Sequence, residues 1–131
     1  MDLDLKPGMT GTATDKVSSE NTALRFGSGT VKVYATPAMV GLMEKAAIDC
    51  VDSKLPQGYA SVGTRVEIRH LAATPVGMSV KAEAVLIEAE GFKLKFKVLA
   101  FDEKEKIGEG THSRYIIKLE DFLSKTEAKL K

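Results

Sequence analysis

The 131 residues, 44% hydrophobic and 28% charged, are enough for one domain with a buried core. A formal net charge of +1, with no Trp and three Tyr, offers neither a basic nucleic-acid surface nor an aromatic platform for single strands. One cysteine, Cys50, excludes an intrachain disulfide and a zinc cluster, and no run approaches the roughly 20 apolar residues that span a bilayer.

The opening, "MDLDLKPGMTG", is acidic and lacks the apolar segment of a signal peptide, so a soluble, cytoplasmic protein is expected. "MTGTATDKV" alternates weakly and carries β-branched residues, which predicts a first strand. "SSENTALRFGSG" is polar and then glycine-rich, a pattern of turns. "TVKVYAT" reads as a short strand, with Val31 and Val33 on one side and Lys32 and Tyr34 on the other.

The longest helix is predicted over Pro37 to Lys54. Thr36 stands as its N-cap, Pro37 occupies its first position, and Pro56 and Gly58 mark its far end. It is apolar around most of its circumference, with Lys45, Asp49, Asp52 and Ser53 forming a narrow wet stripe. "ASVGTRVEIRHL" follows, with Val62, Thr64, Val66, Ile68 and His70 on one face and Arg65, Glu67 and Arg69 on the other. The turn "TPVG" leads into "GMSVKAEAVLIEAE", and Glu90-Gly91 turns that strand into "GFKLKFKVLAF", where Phe92, Leu94, Phe96 and Val98 alternate with lysines. "DEKEK" is a solvated loop and "IGEGTHSRYIIKL" a last strand. Leu119, Phe122, Leu123, Thr126 and Leu130 then mark a short amphipathic helix. Segregated elements of this kind define an α+β fold in which one antiparallel sheet curls around one helix.

Three residues carry possible chemistry. Glu44 has Val40, Gly41, Ala47 and Ile48 as its helical neighbours and faces away from the wet stripe. Burying a lone carboxylate is costly, so it either pairs with an arginine in a structural bridge, snorkels to the edge, or does acid–base work. His70 shares the parity of the core-facing residues; it is a hydrogen-bonded core histidine or a proton carrier. Thr36 either caps the helix or offers its hydroxyl to a substrate at the helix N-terminus, where developing negative charge is favoured. Eight helical residues put roughly 12 Å between Thr36 and Glu44, so joining them needs His70, a substrate or a second subunit. Elsewhere, "GEGTHSR" lacks the ending and context of a phosphate loop, and Gly108 and Gly110 read as close packing. His112 is assigned to a surface or interface, Cys50 to inert core, and the two histidines show no metal-ligand spacing.

Three stretches, "ATPAMVGLMEKA", "GTRVEIRHLAATPVG" and "IGEGTHSRYII", in this order and spacing resemble the fluoroacetyl-CoA thioesterase-like branch of the hot-dog fold superfamily. The resemblance runs from about Ala35 to Phe122 and implies a single hot-dog domain over residues 1–131, a long helix wrapped by a curved sheet. It also implies acyl-CoA thioester hydrolysis, with Thr36, Glu44 and His70 as the catalytic set. Gly63, through its backbone N–H, together with Thr64 and Arg114, would bind the substrate. No metal and no separate cofactor are implied, because coenzyme A belongs to the substrate. The implied assembly is a homodimer or a dimer of dimers with sites at the subunit interface, without nucleic-acid or membrane partners. Before Thr36 the short "FGSGTVKVY" stands where the fluoroacetyl enzyme has a longer, aromatic lid, so a small or aromatic acyl-CoA is the expected substrate. The alternative is a hot-dog module that binds an acyl-CoA without turning it over; a hydratase on the same fold ranks behind both.

Overall fold

A computed structural model describes residues 3–131; Met1 and Asp2, part of the acidic opening and of the expected 1–131 domain, lie outside the described residues. In chain order the elements are β1 (Thr10–Lys16), α1 (Ala23–Phe26), α2 (Thr36–Val51) with a 3-10 turn (Asp52–Lys54), and β2 (Tyr59–His70). Then come β3 (Ser79–Glu90), β4 (Lys93–Phe101), β5 (Lys106–Lys118) and α3 (Leu119–Glu127). All strand pairs are antiparallel and the order across the sheet is β1-β3-β4-β5-β2, so β1 and β2 are the edges. The sheet curls as a half-barrel around α2, which is the hot-dog arrangement. Among the described residues no helix is long and apolar enough to cross a membrane.

Period-2 patterning places the core. Val80, Ala82, Ala84 and Leu86 of β3, with Leu94, Phe96, Val98 and Ala100 of β4, turn the same way and are buried. They meet Met39, Leu42, Met43, Ala46, Ala47, Cys50 and Val51 of α2. The alanines on both surfaces let the helix lie close to the sheet. At the β1 edge that approach reaches its limit at Gly11, where a Cβ would collide with the Ala46 carbonyl oxygen and the Cys50 nitrogen.

Four expectations are corrected. The segment Thr30 to Thr36 is not a strand: it makes only two isolated bridges, Thr22 to Tyr34 and Val33 to Pro75. The physical reason is that Tyr34 and Ala35 are buried under the start of α2 and have no continuous strand beside them. The preceding polar stretch contains a helical turn as well as loops. α1 is capped by the Thr22 hydroxyl and ends at Gly27, whose φ of 73° suits glycine. Helix α2 starts at Thr36 itself; Ala35 is the cap residue and makes no side-chain cap bond. Finally, a bulge between Gly63 and Arg65 breaks the alternation of β2. Ser61 and Gly63 therefore share the inner face with Val66, Ile68 and His70, whereas Val62 and Thr64 do not.

Candidate active site

Starting helix α2 at Thr36 frees the threonine hydroxyl from capping. The end of β2 delivers His70 beside it, with Thr36 Oγ1 2.7 Å from His70 Nδ1. Burial pushes the His70 imidazole below its usual histidine range, an effect opposed by the Ala72 backbone. A neutral ring with its proton on Nε2 leaves Nδ1 to accept the Thr36 O–H, the relationship of a hydroxyl to its base. His70 Nε2 is buried and has no hydrogen-bond partner among the described residues. The pair opens on a cavity of ≈ 430 Å³ whose walls include Val31, Val33, Tyr34 and Leu71.

Glu44 lies two turns further along α2 and faces a different group. Its side chain is 39% exposed, and its Oε2 is 3.9 Å from Arg114 Nη1. A Cβ on Gly63 would fall 2.9 Å from that oxygen and 3.2 Å from His112 Cε1, so only glycine lets the carboxylate rest against β2. Arg114 is 5% exposed on its side chain and is held from within. Its Nε donates to Ser61 Oγ at 2.7 Å, Nη2 to the Ser61 carbonyl at 2.8 Å, and Nη1 to His112 Nε2 at 3.1 Å. Burial draws the Arg114 guanidinium down from its usual value, and the charges of Asp52 and Glu44 oppose this. A pair at this separation with one half-exposed partner contributes little on its own to stability.

The chain thus forms two groups, Thr36 with His70 and Glu44 with Gly63 and Arg114. Among the described residues no hydrogen bond or ion pair joins Glu44 to Thr36 or His70. Thr64 belongs to neither group: it sits in the bulge, donates to the Ser113 carbonyl at 3.2 Å, and borders a hollow that Lys93, Lys95, Arg114 and Tyr115 also line. Two further placements depart from expectation. His112 is 1% exposed, stacked on Phe96, because β5 turns it to the same face as Gly108 and Gly110. Burial pushes its imidazole below the usual range, reinforced by Arg114 and opposed by the Arg65 carbonyl and Glu44. Asp52, assigned to the wet stripe, is half-buried and accepts from the Ser61 hydroxyl at 2.6 Å. Ser61 was not singled out by its sequence context; after a bulge is allowed for, its inner-face parity with Gly63 is the available signal.

A long apolar helix in a curled antiparallel sheet, with a hydroxyl and imidazole paired at the helix start, defines a hot-dog protein of thioesterase type. The family described as FlK, fluoroacetyl-CoA-specific thioesterase, matches residues 17–120. A fluoroacetyl-CoA thioesterase from Streptantibioticus cattleyicolor is 43% identical over 98 residues, covering 75% of this chain and 70% of that protein. Among solved structures, the fluoroacetyl-CoA thioesterase FlK aligns with a TM-score of 0.90 at 35% identity, over 95% of this chain and 97% of that one. A thioesterase superfamily member from Thermus thermophilus aligns with a TM-score of 0.86 at 30% identity, over 94% and 91% of the two chains. The chain belongs to the fluoroacetyl-CoA thioesterase-like family and is a thioester hydrolase.

Proposed function

We propose that this protein hydrolyses small acyl-CoA thioesters to the free acid and CoA, using Thr36, Glu44 and His70 at a site shared between two copies of the chain. The observation that carries the reading is the 2.7 Å contact between Thr36 Oγ1 and a His70 ring held neutral by burial. Thr36 Oγ attacks the thioester carbonyl while its proton passes to His70 Nδ1. The tetrahedral oxyanion is held by the Gly63 N–H and amides at the start of α2, each good donor contributing about 3 kcal/mol. Collapse breaks the carbon–sulfur bond, and the departing thiolate takes the proton from His70. Water, deprotonated by Glu44, then attacks the acyl carbonyl on Thr36; the ester carbon–oxygen bond breaks, the free acid leaves, and the proton held by Glu44 is passed on to the Thr36 oxygen, which restores the hydroxyl.

Glu44 reaches that ester from the second copy. β2 is an edge strand, and pairing it antiparallel with another β2 about a dyad through Glu67, with Thr64 as the extra residue of the bulge, sets Gly63 opposite His70 of the other copy. Val66 and Ile48, 42% and 40% exposed, supply apolar area on this face. Gly41, on the open side of α2, has no atom within 4 Å of its Cβ position. Apolar cavity walls from Val31, Val33 and Leu71 suit a short or aromatic acyl group. The one cysteine is buried and free, in keeping with a reducing cytoplasm.

The test is thiol release from acetyl-, fluoroacetyl-, butyryl- and phenylacetyl-CoA, with Glu44→Gln as control. Turnover of at least one substrate, suppressed in Glu44→Gln, is expected. Tight binding without thiol release for the whole panel would make the protein a binding module instead.

A further inference from the structure

We propose, on the basis of the hydrolase reading, that Asp52 and Ser61 are positioning residues whose hydrogen-bond chain holds the Arg114 guanidinium against Glu44. The chain has one consistent direction. An ionised Asp52 carboxylate only accepts, so the Ser61 hydroxyl donates to Oδ1 at 2.6 Å and the Ser61 amide donates to Oδ2 at 3.2 Å. The oxygen lone pairs of Ser61 then receive Arg114 Nε–H at 2.7 Å, while its carbonyl receives Nη2 at 2.8 Å. On the other side the Arg65 carbonyl also only accepts, so His112 carries its proton on Nδ1, 2.8 Å away, and offers Nε2 to Arg114 Nη1 at 3.1 Å. These contacts fix the guanidinium plane and set Nη1 at an ion-pair separation of 3.9 Å from Glu44 Oε2.

The helix builds both ends of this arrangement. Glu44 and Asp52 are eight residues apart along α2 and its terminal 3-10 turn, on the side that faces the guanidinium. Asp52 brings its charge to Arg114 through Ser61, and Glu44 receives the free edge. A buried cation with this many directed bonds cannot drift, so the carboxylate it faces has a fixed partner. Thr36, Glu44 and His70 are the set proposed to act on the substrate; Asp52 and Ser61 act behind them, through Arg114.

The experiment uses the full chain in three variants, Asp52→Asn, Ser61→Ala and Ser61→Thr. Thiol-release kinetics are read beside melting temperature and the exchange of the Arg114 Nε–H by NMR. Asp52→Asn and Ser61→Ala are expected to lower kcat about tenfold while KM moves less than about twofold, and Ser61→Thr, which keeps the hydroxyl, to recover most of the rate. The Arg114 Nε–H should exchange slowly in the parent protein and fast in Ser61→Ala. An active parent with unchanged kcat in Asp52→Asn and Ser61→Ala would overturn the proposal. So would a rate loss no larger than the loss of folded protein, or Arg114 exchange indifferent to Ser61. A parent that releases no thiol while Arg114 exchange still depends on Ser61 would instead fault the hydrolase reading and retain the hydrogen-bond chain.

Discussion

Substituting Gly63 with alanine probes the closest approach in the site. The new methyl would stand 2.9 Å from Glu44 Oε2, 3.2 Å from His112 Cε1 and 3.5 Å from Arg114 Nη1. Ordinary contact begins at 3.4 Å, so the carboxylate must retreat by about 0.5 Å, and it can, being half-exposed at the end of a flexible side chain. His112 is wedged against Phe96 and cannot yield as freely. Overpacking of this size costs about 1 kcal/mol of stability, which leaves the fold intact. A displacement of 1 Å in a reacting group costs about a hundredfold in rate, so half of that lowers kcat/KM about tenfold. Thiol-release kinetics beside a thermal melt measure both numbers. A Gly63→Ala protein with parental kcat/KM would refute the idea that Glu44 works from its position against Gly63.

Further outcomes follow from the same geometry. Because His70 and His112 bind protons more weakly folded than unfolded, the unfolded chain takes up more protons between their lowered values and the ordinary histidine value of about 6.5, so melting temperature should fall as pH drops through that range. A melt that is flat from about pH 7.5 to about pH 5 would contradict this. Val66→Glu puts a charge at the centre of the β2 edge and should convert a dimer to monomer by light scattering, with loss of activity; an active monomer would sink the shared site. Gly11→Ala drives a methyl into the backbone of α2, which cannot move aside, and should cost about 3 kcal/mol by denaturant titration. Parental stability in that variant would mean that helix and edge strand are not packed this closely.

How much the residues announced can be judged element by element. "GFKLKFKVLAF" and "KAEAVL" spell out period 2 so plainly that the inner faces of β3 and β4 follow directly, and the long apolar helix requires an enclosing sheet. Glu44 posed a choice between an arginine bridge and acid–base work. The fold supplies the arginine in Arg114, and the proposed function retains the second role as well. Three things were hidden. A one-residue bulge at Thr64 carries no local signature, yet it decides that Gly63 faces the helix while Thr64 faces away. The Thr36 hydroxyl could serve as a cap or a partner for His70 with the same sequence, and only the arrival of β2 at the helix start decides between them. His112 and Asp52 looked like surface residues because the sheet assembles what surrounds them: His112 meets the Arg65 carbonyl 47 residues away, and Ser61, the partner of Asp52, is tied to Arg114 53 residues further on.

Whether the Thr36–His70 pair carries hydrolysis is decided by kcat/KM for thiol release in the parent protein and in His70→Ala. The parent should turn over a small acyl-CoA, and kcat/KM should fall about a hundredfold or more in the variant. A folded His70→Ala protein that releases thiol at the parental rate would contradict it.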